Sequence, residues 1–358
     1  MNVPFPTLFV DLEIVRKNIA AMAEKATKCE VELRPHFKTH QSKEIGKIFR
    51  EFGCSGITVS SIRMAEYFLN DGWDDITIAF PANVLAIDDY DTICSRCELK
   101  TLVISEEVVR RLNQNLSHEL GLYIEIDPDY GRSGIPVSNI AGIQSVLAEI
   151  QNSEHLYAAG FYCHAGHTYK ARSKAEVEET ASQALEKLSI LKEHFPELPI
   201  CYGDTPSCSV LEDFGPANQI SPGNFVFYDW MQVQIGSCSP NEIAVFMECP
   251  VIEKYRGRNQ VLIHGGAVHF SKDFVEVNGV KSFGEPRLKH LSEETYISSL
   301  SQEHGIIQCS PMVFKDIQIG ESIQIFPIHS CLTADLMQAY KTDKNLILDH
   351  LSGIEKPK

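Results

Sequence analysis

Between residue 31 and about residue 230, short β-rich runs alternate with stretches of helical spacing, and this alternation constrains the fold more than any other feature of the chain. The runs read VELRPHFK, GITVSS, DITIAF, KTLVIS, GLYIEID, LYAAGFYCH, LPICYGDT and NQISPGNFVFYD, eight in all. Between them lie segments with the apolar spacing of helices, such as RMAEYFLND, SEEVVRRLNQNL, NIAGIQSVLAEIQN and EVEETASQALEKLSILKEHF. Strand and helix in strict alternation imply parallel strands joined by right-handed crossovers. Eight such units favour closure into a TIM-type (β/α)8 barrel over an open doubly wound sheet, and no GxGxxG follows an early strand.

After about residue 240 the texture changes to strand-like, turn-punctuated runs: EIAVFMECPVIEKY, NQVLIHGGAVHF, DFVEVNGVKSF, HGIIQCS, ESIQIFPIHSC and NLILDH. This predicts a C-terminal all-β domain. The opening run PTLFVDL precedes the barrel count and is expected to pack with that β domain, with EIVRKNIAAMAEKA following as a helix. The expected division is residues 1–20 for the N-terminal strand and helix start, 21–235 for the barrel, and 236–358 for the β domain.

With 44% hydrophobic and 22% charged residues, the chain can bury a large core. Its net charge of −16 argues against a nucleic-acid or anionic-membrane partner. The N-terminal MNVPFPTLFVDLEIVRKN lacks a basic region followed by an apolar one, and no stretch approaches the roughly 18 apolar residues of a membrane helix, so a cytoplasmic protein is expected. The eleven cysteines show no framework spacing and read as reduced thiols. Cys94 and Cys97 form a CxxC with no second pair to complete a metal site.

In a (β/α)8 barrel the chemistry sits at the C-terminal ends of the strands. The polar residues closing the runs here are Lys38 and His40, then Asp127 and Arg132, then His164, His167 and Tyr169, then GDTPS and SPGN. A lysine in a barrel mouth is desolvated, its pKa falls toward neutrality, and it can attack a carbonyl to form a Schiff base. Glycine-bearing loops after the seventh and eighth strands form the usual phosphate cradle of a barrel. An aldehyde cofactor bearing a phosphate satisfies both, and pyridoxal 5'-phosphate (PLP) is such a cofactor.

The ordered set RPHFKTH, CHAGHTY, GDTPS, SPGNFVFYD, SLSQEHG and PIHSCLTADL resembles the D-threonine aldolase and D-serine dehydratase family, within the alanine-racemase-like, fold type III PLP enzymes. The resemblance implies a PLP-binding barrel with a C-terminal β domain that takes the first strand, and a homodimer acting on a small D-amino acid. Lys38 then matches the Schiff-base lysine. Tyr162, Tyr169, Thr205, Gly223 and Asn224 match positions lining the cofactor and its phosphate, and Arg132 matches the arginine at the pyridoxal phenolate.

His329 and Cys331 sit two apart on an expected strand or strand end, so both side chains can point to one face. Thiolate plus imidazole favours Zn2+, with Mn2+ or another divalent ion as the alternative. His164, His167 and His304 are further candidates for ligands or bases. The dehydratases resemble this chain in carrying His and Cys there, whereas the aldolases typically carry aspartate at the second place. The expected function is therefore a PLP- and metal-dependent lyase, D-serine dehydratase first and D-threonine aldolase second. An amino-acid racemase with Tyr296 as opposite base, and a non-catalytic PLP carrier, are the remaining alternatives.

Overall fold

The computed structural model describes residues 3–277, 279–287 and 294–352, and the chain divides into two compact units. One comprises residues 19–38 and 45–223; the other comprises residues 1–18, 39–44 and 224–352. No helix among the described residues is long and apolar enough to cross a membrane.

The first unit carries the eight expected strands as one parallel sheet. In chain order they are Glu32–Leu33, Ile57–Val59, Asp75–Pro81, Glu98–Val103, Leu120–Asp127, Leu156–Cys163, Ile200–Tyr202 and Gln219–Ile220. The sheet runs from Glu32–Leu33 through Gln219–Ile220 and back, strand by strand, to Ile57–Val59. Its two ends then meet. Phe37 N–H donates to Thr58 O at 2.8 Å and Thr58 N–H to Pro35 O at 2.9 Å, around a parallel bridge between His36 and Thr58. Leu102, Tyr123, Tyr162 and Cys201, each from a different strand, fill the interior as a buried cluster. The outer helices start where side chains can meet otherwise unpaired N–H groups: Ser61 accepts from Met64 N–H, Ser173 from Glu176 N–H and Asp204 from Ser207 N–H.

The second unit is strand-rich. Val245–Tyr255 is its longest strand and pairs antiparallel with Gln260–His264 and with Ser322–Pro327. Thr7–Val10 adds to the same strand antiparallel, in the register Thr7↔Glu248 to Val10↔Val245, so the first strand of the chain joins the C-terminal sheet as expected. Alternating burial along Thr7–Val10 and Gln260–His264 matches a sheet with one face covered.

At the N-terminal ends of the barrel strands the interior holds charge rather than apolar side chains. Arg34, 3% exposed, donates to Asp75 Oδ1 at 2.8 Å, and Lys100 Nζ reaches the same oxygen at 2.6 Å. Gly56 leaves room for this, because a Cβ there would come within 2.6 Å of the Arg34 guanidinium. Burial weighs against the charge on Asp75, but hydrogen bonds from Arg34 and Lys100 outweigh it and hold the carboxyl below its ordinary range. This face lies opposite the strand ends where the site is expected, and its role is stability. Arg34→Ala, which strands Asp75 beside a single cation, is expected to lower unfolding free energy by about 3–5 kcal/mol, measured by urea denaturation.

Candidate active site

The segment that closes the barrel ends on Lys38. Arg34 N–H donates to Ile220 O at 2.8 Å and His36 N–H to Pro222 O at 2.9 Å, on the side away from Thr58. The backbone is thereby pinned from both flanks up to residue 37. The Lys38 N–H then turns onto His36 Nδ1 at 3.3 Å, and the Ser42 N–H makes the same turn onto His40 Nδ1 at 3.1 Å. The two histidines around the lysine therefore hold backbone turns through unprotonated Nδ1 atoms. For His40, burial, reinforced by His350, pushes the pKa down to about 3, so the ring is neutral at pH 7. Lys38 itself departs from expectation. Phe37 and Thr39 on either side are buried, while the lysine side chain is exposed at the strand end rather than desolvated.

His164 shares this end of the barrel. Burial first, then the Lys38 and Arg132 cations, push its pKa down to about 3. Its Nδ1 must carry a proton, because it lies 2.6 Å from the carbonyl of Gly203, and Nε2 is left as a lone-pair acceptor. Tyr162 is buried in the interior cluster, and its hydroxyl donates to Ser221 Oγ at 3.4 Å. Burial raises its pKa above the usual phenol range. Ser221 in turn donates to Thr58 at 2.9 Å.

The loops after the seventh and eighth strands touch: a Cβ at Gly203 would lie 2.7 Å from the Ser221 carbonyl. Asp204 caps the Thr205–Val210 helix and also accepts from Thr168 at 2.8 Å, fixing the CHAGHTY loop beside it. Thr205 N–H donates to the Tyr169 hydroxyl at 3.4 Å, and Thr205 Oγ1 is buried with no partner among the described residues. Gly223 is buried at the end of this unit. The His167 ring stacks on Tyr130 at 5.8 Å.

In the second unit the structure corrects the local geometry expected for His329 and Cys331. The strand Ser322–Pro327 ends before it; His329 is the extended N-cap of the helix Ser330–Met337, and Cys331 lies in the first turn. Residues two apart inside a helix do not share a face, so the non-helical backbone of His329 is what lets its ring meet the thiol. Asp273 Oδ2 lies 2.7 Å from His329 Nδ1 and orients the ring. Burial opposes charge on His329, but the hydrogen bonds its ring donates to Asp273 and Cys331 raise its pKa to about 11. Cys331 answers in the opposite sense: burial pushes it up, and the hydrogen bond and charge of His329, with hydrogen bonds from Thr39 and Asn224, bring it below the ordinary thiol value.

Asn224 belongs to this cluster. Its side-chain amide donates to Asp229 at 2.7 Å, to Ser330 at 2.9 Å and toward Cys331 Sγ at 3.5 Å. Thr39, the residue after Lys38, places its hydroxyl 3.3 Å from Cys331 Sγ. The segment is anchored by Tyr340, whose hydroxyl donates to His40 O at 2.6 Å, and by Asp349, which accepts from Ser42 Oγ at 2.8 Å. Thr39, Asp273 and Asp229 were missed in the sequence because their partners lie far along the chain.

His304 and Tyr296 sit elsewhere in this unit, on the paired strands His304–Gln308 and Tyr296–Leu300. His264, His269 and Glu303 come together at metal-ligand spacing. His269 Nδ1, however, accepts the Gly266 N–H at 3.1 Å, which puts its proton on Nε2, the atom facing Glu303. Glu303 Oε2 lies 3.4 Å from His264 Nε2 and 3.8 Å from His269 Nε2, within ion-pair distance of both rings.

Over residues 10–228 the chain matches the family model "Alanine racemase, N-terminal domain", and over residues 244–342 the model "Putative serine dehydratase domain". A D-serine dehydratase of Dictyostelium discoideum is 27% identical, covering 96% of this chain and 94% of its own length. The D-threo-3-hydroxyaspartate dehydratase of Delftia sp. (strain HT23) is 25% identical over 94% of this chain and 93% of its own. The solved structure of the Delftia protein superposes with a TM-score of 0.89 at 23% identity, covering 98% of each chain. A D-threonine aldolase structure from Filomicrobium marinum superposes at 0.83 with 19% identity, covering 98% of this chain and 97% of that one.

The electrostatics single out one thiol. Burial raises the pKa of Cys29, Cys54, Cys94, Cys97, Cys163, Cys201, Cys208, Cys238, Cys249 and Cys309, whereas Cys331 is lowered. Thiolate is the reactive form. In chelator-treated protein at pH 7, Cys331 is expected to be alkylated by iodoacetamide before the other ten, as read by peptide mass spectrometry, and Asp273→Asn is expected to slow it.

Proposed function

The chain belongs to the alanine-racemase-like family that includes the D-serine dehydratases and D-threonine aldolases, and from that premise we propose that it is a PLP- and metal-dependent lyase that dehydrates D-serine to pyruvate and ammonia. The observation that carries the choice of reaction is the His329–Cys331 pair with Asp273 behind it. A ring whose Nδ1 is held by a carboxylate presents Nε2 as a ligand, and a thiolate beside it completes a nitrogen–sulfur donor set suited to Zn2+.

Two observations fit the cofactor. Thr205 Oγ1 is a buried hydroxyl without a partner among the described residues, on a loop packed against the SPGN loop, as a phosphate site requires. Arg132 and Lys38 both bear on the same neutral histidine, His164, so two cations converge at one end of the barrel. In this reading Lys38 holds PLP covalently. Thr205, Gly223 and Tyr169 would receive the phosphate, with Asn224 following Gly223 in the chain, Arg132 would face the phenolate, and Tyr162 would line the interior wall.

Bound PLP supplies an electron sink for negative charge developing at the substrate Cα. Bound zinc supplies Lewis-acid polarisation of the substrate hydroxyl, which is otherwise a poor leaving group. Lys38 Nζ would take the α-proton of the substrate. The neutral His164 ring adds no positive charge beside that amine, and its lone pair at Nε2 can accept a hydrogen bond there. His329 and Cys331 hold the ion, Asp273 fixes the ring that binds it, and Asn224 and Thr39 hold the sulfur in place. Loss of water and subsequent hydrolysis give pyruvate and ammonia. The reading includes a homodimer; Leu332 and Leu336 expose apolar surface one helical turn apart on Ser330–Met337, as a subunit contact would use.

A panel of D-serine, D-threonine and D-threo-3-hydroxyaspartate, assayed for keto acid against glycine plus aldehyde, tests the assignment. D-Serine is expected to give pyruvate, and glycine with aldehyde as the main products would replace dehydration by aldol cleavage. Lys38→Ala is expected to abolish both turnover and the yellow colour of the purified protein. Chelation is expected to abolish dehydration and spare the colour. Asp273→Asn is expected to weaken zinc binding roughly 10- to 100-fold, measured by competition with a chromogenic chelator.

A further inference from the structure

The strand Leu120–Asp127 sends alternate side chains into the barrel, where Tyr123 packs against Leu102, Tyr162 and Cys201. Glu125 lies one step further along that face, near the strand's C-terminal end, and is 2% exposed. A carboxylate this buried is costly unless donors meet it. Here the donors are divided unequally. Oε1 accepts the Ser133 hydroxyl at 2.6 Å and lies 3.6 Å from Arg132 Nη2, whereas Oε2 is buried with no hydrogen-bond partner among the described residues.

The loop that returns Arg132 and Ser133 over Glu125 is shaped for the purpose. Asp127 Oδ1 accepts the N–H groups of Tyr130 at 2.8 Å and Gly131 at 3.0 Å. Asp129 and Gly131 take φ values of 74° and 75°. Gly134, at φ 102°, passes so close to the strand that a Cβ would lie 2.7 Å from Asp127 N. A side chain is excluded there, and the chain doubles back tightly. Arg132 remains 49% exposed, with only the Tyr130 ring near its guanidinium at 5.8 Å besides Glu125 among the contacts described. A long, half-exposed arginine has many rotamers, and the buried carboxylate selects among them. A salt bridge kept for stability alone would have both carboxylate oxygens satisfied.

We propose that Glu125 is a positioning residue, which holds the Arg132 guanidinium at the barrel mouth so that its remaining N–H groups meet the phenolate side of PLP. The inference rests on the cofactor reading given above and acts entirely through Arg132. In Glu125→Gln protein the charge that orients the guanidinium is gone while the shape of the side chain is kept. The cofactor-loaded variant is expected to remain yellow, with a displaced absorbance maximum and a displaced pH midpoint of its colour. The kcat on D-serine is expected to fall roughly 10- to 100-fold with KM nearly unchanged, since misplacing a group that acts during the reaction costs rate more than binding. Glu125→Asp is expected to recover part of both signals.

A double-mutant cycle with Arg132→Ala separates positioning from packing: Glu125→Gln is expected to change the spectrum in the wild-type background and to change nothing further once Arg132 is absent. Equal shifts in both backgrounds, or a Glu125→Gln spectrum and kcat identical to wild type, would overturn the proposal. Should Glu125→Gln fail to fold by circular dichroism, Ser133→Ala, which removes only one donor to Oε1, is expected to shift the spectrum in the same sense by less, and an unshifted spectrum there would equally overturn it. Wild-type protein that takes up no PLP would instead defeat the cofactor reading itself.

Discussion

The position of Lys38 depends on the backbone hydrogen bonds that pin residues 34–37 from two sides. Thr58 meets Pro35 and Phe37 on one flank, and Ile220 and Pro222 accept from Arg34 and His36 on the other. These bonds close the parallel sheet, and they leave Lys38 as the first residue beyond the closure. A strand bonded on both edges has little freedom to slide, and a slip of one residue would turn the lysine to the other face. The histidines on either side prolong this rigidity, each tying a backbone N–H two residues on without introducing charge.

Beyond the closure the site is an exercise in how burial acts on ionisable groups. Desolvation, aided by His350 at His40 and by the Lys38 and Arg132 cations at His164, drives both rings to neutrality, and burial keeps ten thiols protonated. At His329 and Cys331 it is overruled, because each group supplies the other's counter-charge and Asp273 adds a third partner. The same principle explains Arg34, Asp75 and Lys100 at the opposite strand ends, where the ion cluster fills the barrel without any reactive group.

Periodicity made the barrel legible. All eight β-rich runs contain a strand of the one parallel sheet, and the alternation with helices fixes its parallel sense. The lengths were less legible: VELRPHFK yields only Glu32–Leu33 as ladder, and NQISPGNFVFYD only Gln219–Ile220. Proline at 35 and 222 and the loop-forming SPGN interrupt regular pairing at these positions, while individual hydrogen bonds carry the closure. His329 and Cys331 were picked out by residue type, but on the wrong element, because a run of apolar residues ending in a polar turn reads alike before a strand end and before a helix cap.

Already legible in the chain were the number and sense of the barrel strands, the membership of the first strand in the C-terminal sheet, and the residue types at Lys38, Arg132, His329 and Cys331. These follow from periodicity and spacing, which are local properties of the chain. The charges on His329 and Cys331, by contrast, are set by three-dimensional packing. Glu125 and Asp273 lie 7 and 56 residues from the groups they hold, at Arg132 and His329, and Thr39 lies 292 from Cys331. Hydrogen bonds and desolvation act over a few ångströms of space, and sequence separation does not measure that distance.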